Sequence, residues 1–128
     1  MKTINKRVAL ILLLVSLAAC TVVLPTPVSA IAQQYLNGGP TTAWALSDKQ
    51  IDSLKSWLSR HPNGWYPSYV SYAPCMLIYF NYVDGKQSSV NVCPSGLVVV
   101  VSEEGQFTQK FEAKAVEQLA LSVGANAK

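Results

Sequence analysis

The sequence predicts an α+β domain of two layers: an N-terminal helix, an antiparallel meander of four to five strands, and a C-terminal helix. Three observations carry that expectation. Apolar residues recur at helical spacing over 47–60 and 112–123, and the period switches toward two between them. Two connections, Val83-Asp84-Gly85 and Glu103-Glu104-Gly105, have the form of three-residue hairpin loops closed by a left-handed glycine. Elements in this order pack as helices on one face of an antiparallel sheet.

The first helix has a marked start. Ser47 and Gln50 make a Ser-x-x-Gln capping box, and Leu46 with Ile51 makes the hydrophobic staple across it. Ile51, Leu54 and Leu58 then form one stripe with Trp57 at its edge, and Pro62-Asn63-Gly64 ends the run. The second helix carries Ala113, Val116, Leu119, Ala120 and Val123 on one side, with Gly124 placed as its C′ residue. Candidate strands lie at 68–72, 75–82, 86–93, 97–102 and 106–111.

The first hairpin loop fixes a register. Tyr82 faces Lys86, so Phe80 faces Ser88, Ile78 faces Val90, Met76 faces Val92 and Cys75 faces Cys93. By alternation the cysteines form a non-hydrogen-bonded pair, the kind with the closer Cα atoms, about 4.5 Å apart and within reach of a disulfide. Met76, Ile78, Phe80, Val90 and Val92 then share the core face. Leu77, Tyr79, Asn81, Gln87, Ser89 and Asn91 share the other with the cysteine pair.

Composition narrows the class. Of 128 residues, 50% are hydrophobic and only 13% charged, which excludes a disordered solvating chain. The net charge of +3 comes from Lys2, Lys6 and Arg7 at the extreme N-terminus, and the remaining charges balance. No basic stripe is left to meet nucleic acid. Those three residues precede an apolar run over 8–19, the pattern of a secretory signal rather than of a spanning helix, which needs about 20 apolar residues.

Leu17-Ala18-Ala19-Cys20, at the end of that run, resembles the lipobox of bacterial lipoproteins. The resemblance implies cleavage before Cys20, lipidation of its thiol and amine, and, with Thr21 rather than Asp next, sorting to the outer membrane. Buried acyl methylenes, about 0.8 kcal/mol each, then hold the domain to the membrane. The expected organisation is a signal peptide over 1–19, a lipidated N-terminus and tether over 20–42, one α+β domain over 43–124, and a tail over 125–128. A second cleavage site competes: Val28-Ser29-Ala30 suits an ordinary signal peptidase and would release a soluble periplasmic protein starting at Ile31. Cysteine parity favours the lipobox, because pairing Cys75 with Cys93 leaves Cys20 over.

The residues of catalysis are scarce. His61, the single histidine, sits at a helix end, where the side chain commonly meets the last carbonyls. One histidine beside a paired Cys75 and Cys93 makes no metal cluster, and no phosphate loop, nucleophile elbow or cofactor motif occurs. No catalytic residue, metal or cofactor is expected. What stands out is aromatic: Trp65, Tyr66, Tyr69, Tyr72, Tyr79, Phe80 and Tyr82 cluster among Ser, Asn and Gln, a mixture common in contact surfaces. The expectation is a membrane-anchored, non-enzymatic module facing the periplasm. It would bind a periplasmic or envelope protein, as an accessory, inhibitor or immunity-type protein, through Tyr69, Leu77, Tyr79 and Asn91. A structural role in an envelope assembly is the alternative, and a glycan- or peptide-binding role a third.

Overall fold

The computed structural model of the protein describes residues 21–125; the expected signal peptide, Cys20 and the residues after 125 lie outside them. Helices on one face of an antiparallel sheet are present, but the sheet is not a meander of four to five strands. It has seven. In chain order the elements are β1 (Ser29–Leu36), β2 (Gly39–Ala45), α1 (Asp48–Arg60), β3 (Tyr66–Pro67), β4 (Met76–Asn81), β5 (Gln87–Val92), β6 (Leu97–Ser102), β7 (Gly105–Lys110) and α2 (Ala113–Ser122). The strands lie in the order β2-β1-β4-β5-β6-β7-β3.

Two corrections follow. The segment expected to be a tether forms β1 and β2, a hairpin that joins the sheet by pairing β1 against β4, Ile31 opposite Tyr79 and Gln33 opposite Leu77. Its turn is Asn37-Gly38, both at positive φ (52° and 79°), the backbone a type I′ turn requires. The strand expected at 68–72 is instead the two-residue β3 just before it, paired to β7. From Ser68 onward the chain crosses the sheet as an irregular loop.

Where local chemistry was strong, structure follows it. The capping box of α1 is formed: Gln50 N–H donates to Ser47 Oγ at 3.2 Å, and Ser47 N–H donates to Gln50 Oε1 at 2.9 Å. The hairpin of β4 and β5 has the expected register through Met76/Val92, Ile78/Val90 and Phe80/Ser88, and Tyr82 N–H donates to Lys86 O. Cys75 and Cys93 are bonded, with Cα atoms 5.1 Å apart.

The core lies between the sheet and the two helices. Ala30, Ala32, Met76, Ile78, Phe80, Val90, Val98 and Val100 rise from the sheet to meet Ile51, Leu54, Leu58, Val116, Leu119 and Val123. Trp65 closes one end, its indole N–H donating to His61 O, with Phe111 edge-on to it and to Trp57. At the other side, Trp44 donates to Val123 O at 2.9 Å and ties the end of α2 to β2. Residues 22–28 form a strap along the sheet end that carries both hairpin turns. Val22, Leu24 and Pro27 of this strap are buried, and Val22 N–H donates to Pro62 O. Both sheet edges are blunted against pairing with other chains: β2 by Pro40 and a register shift, β3 by its length.

Candidate functional site

The face of the sheet away from the helices is only partly covered. Because β-strand side chains alternate, two rows of residues line it. Ala45, Ile31, Tyr79, Ser89, Val101 and Gln106 are successive cross-strand partners, and Ala43, Gln33, Leu77, Asn91, Val99 and Thr108 form the next row.

The loop after β3 covers the part of this face over β5 to β7. It is pinned by two side-chain amides from the sheet. Asn91 Oδ1 accepts from Cys75 N–H at 2.9 Å, and Asn91 Nδ2 donates to Ala73 O at 3.1 Å. Gln106 Nε2 donates to Val70 O at 2.7 Å and to Ser68 O at 3.4 Å. Under the loop, Val99 and Cys93 are buried although they point away from the main core. The disulfide fixes the end of the loop to β5. Among the described residues, nothing covers the sheet over β1 and β4. There Ile31 is 45% exposed beside the half-buried Leu77 and Tyr79, and Val101 is exposed further along the row. Gln33 and Ser89 supply polar edges.

The structure therefore brings together some of the residues singled out in the sequence and separates others. Leu77 and Tyr79 are neighbours on the uncovered face. Tyr69, 97% exposed, is on the loop and not on a strand. Asn91 is only 5% exposed and both ends of its amide are engaged within the chain, so it holds the loop and is out of reach of a partner. Ile31, Gln33 and Val101 are additions. Ile31 and Gln33 alternate as strand residues do, but they lie in the stretch read as a tether.

His61 is wedged against Trp57 and Phe111, with ring centroids 4.5 and 5.1 Å away, and its Nδ1 lies 2.9 Å from Trp57 O. Among the described residues no three His, Cys, Asp or Glu side chains converge as a metal site would require. No helix among them is long and apolar enough to cross a membrane.

A second feature lies at the sheet end closed by the strap. A cleft of about 460 Å³ is lined there by Val23, Leu24, Thr26, Tyr82, Val83 and Lys86, among others. Lys86 reaches Glu103 and Asp84, so it links the two hairpin turns. Lys55 Nζ donates to Thr26 Oγ1 of the strap. Burial pushes the Tyr82 phenol above its ordinary value, and its hydroxyl has no hydrogen-bond partner among the described residues.

No protein-family model, no curated protein and no solved structure matches this chain.

Proposed function

We propose that this is a lipid-anchored envelope protein, held to the outer membrane through Cys20 and facing the periplasm. It binds a protein partner with the uncovered part of its sheet and carries out no catalysis. The observation that carries the binding reading is the apolar group of Ile31, Leu77 and Tyr79, with Val101 further along the same row, on a sheet whose other face packs against the two helices. A patch of this kind, polar at its edges, is a usual mark of a contact site. Its elements are rigid: β1 and β4 are interior strands, and the adjoining loop is clamped by two amides and a disulfide.

The anchor reading gains support from the strap. A cut after Ala30 would remove the buried Val22, Leu24, Pro27 and Ala30, and would start the chain inside β1 at Ile31. A cut before Cys20 leaves all of them in the mature protein.

A photo-crosslinking residue placed at Tyr79 in cells tests the binding reading. The expected result is a discrete adduct from position 79, none from the exposed Leu36 at the far sheet end, and loss of the adduct in Ile31→Asp. No adduct from position 79 in membrane-bound protein would overturn it. An adduct of twice the chain mass would reassign the face to self-association. Metabolic palmitate labelling, abolished by Cys20→Ala, tests the anchor; a native N-terminus at Ile31 would overturn that part.

A further inference from the structure

We infer that the sheet end carrying Val23, Val28 and Val83 rests on the phospholipid surface to which Cys20 is anchored, so that the strands run away from the membrane and the uncovered face opens sideways. This rests on the anchor reading above. The argument begins with reach. Val22 is buried and hydrogen-bonded to Pro62, so it is a fixed point of the fold. Cys20 is two residues away, about 7 Å of extended chain. A domain leashed that closely cannot stand clear of the bilayer; one of its surfaces must lie against it.

The strap determines which surface. Its side chains alternate: Val22, Leu24 and Pro27 turn into the core, whereas Val23 and Val28 turn out, with Val23 80% exposed. The β4–β5 turn adds Val83, 91% exposed, on the rim of the same cleft as Val23 and Val28. Three outward valines next to the anchor point are costly in water and at home among acyl chains. Each alone would bind weakly, but the leash makes the contact intramolecular, at a high effective concentration. Lys86 is engaged with Glu103 and Asp84, so this end presents no basic cluster for anionic lipid. The contact is therefore made by apolar side chains, and the exposed Glu104 on the same rim leaves an excess of negative charge that suits neutral rather than anionic lipid.

The test uses the mature chain from Cys20, its thiol coupled to a maleimide phospholipid, in phosphatidylcholine nanodiscs containing nitroxide-headgroup lipid. With Cys75 and Cys93 bonded, Cys20 is the reactive thiol. Valine and leucine methyl groups are isotopically labelled. Signals of Val23, Val28 and Val83 should broaden severalfold more than that of Leu36, which is exposed at the opposite end of the sheet, and should do so equally at high salt. Val23→Asp combined with Val83→Asp, both at exposed positions, should abolish the difference while leaving thermal unfolding unchanged. Uniform broadening, or broadening strongest at Leu36, overturns the orientation. Because the lipid is attached chemically, that failure is distinct from failure of the anchor reading, which a native chain without palmitate would reveal.

Discussion

Leu24→Ala in the mature protein separates the two possible leaders by a stability measurement alone. Leu24 is 7% exposed and packs in the main core. Removing its three outer carbons loses about 0.8 kcal/mol of burial per group, and a full core cavity raises the usual range to about 2–5 kcal/mol. Leu24 lies on a strap at the rim, lining two clefts, so its surroundings can partly close on the vacancy. The expected loss is therefore about 2–3 kcal/mol, a fall in Tm of about 8–15 °C for a domain of this size. Val23→Ala, one residue earlier and exposed, should change stability by less than about 0.5 kcal/mol. Both variants are expressed with the whole leader, recovered from the envelope, and unfolded thermally by circular dichroism. If Leu24→Ala melts with the wild type, the strap is not part of the folded protein and cleavage after Ala30 regains its standing.

Other outcomes are expected from the same structure. Phe80→Ala, at a fully buried position, should cost about 3–5 kcal/mol, whereas Tyr79→Ala should cost far less and weaken partner binding by about 1–2 kcal/mol; equal loss of stability from both would make the uncovered face a second core. Replacing Cys75 and Cys93 together by Ser should lower stability by about 2–4 kcal/mol under oxidising conditions, and the denaturant midpoint of the two oxidised proteins should show no difference if the bond is absent in solution. The Tyr82 phenol is raised by burial, so the unfolded chain ionises first, near pH 10; its contribution is whole below that pH and is lost as pH rises through the folded value. Ultraviolet titration should show a late-ionising tyrosine that Tyr82→Phe removes, and that variant should soften the alkaline loss of stability.

What the sequence reveals depends on how much contrast its pattern has. The start of α1 was legible because the capping box is a local, four-residue chemistry that tertiary context did not disturb. The β4–β5 register was legible because a three-residue loop sets it, and the alternation of Met76, Ile78 and Phe80 agrees with it. In β1 the inward residues are Ala30 and Ala32, whose small side chains give little contrast against Gln33 and Gln34. Prolines at 25, 27 and 40 then made the whole stretch look like a linker. A signal was nonetheless present: Asn37-Gly38 is the dipeptide of a tight hairpin, and taking it at face value would have found both strands. The candidate site suffered from the same gap. Leu77 and Tyr79 came from a correct register, but their neighbour Ile31 could be known only once β1 was placed. Asn91 was rightly assigned to that face, yet its burial depends on a loop whose path no local pattern encodes.

The order of strands also bears on how the chain closes up. β4 to β7 are joined by short turns and pair with their sequence neighbours, so that block forms through local contacts, the fast kind. β1 pairs with β4, and the partners Ser29 and Asn81 are separated by α1, β3 and the loop. In a chain synthesised from its N-terminus, the β1–β2 hairpin therefore emerges early and waits with one unpaired edge until β4 appears. That edge is hazardous while it waits, because a free strand edge templates pairing with other chains. The alanines that hid β1 from view in the sequence also make that waiting edge a poor nucleus for aggregation.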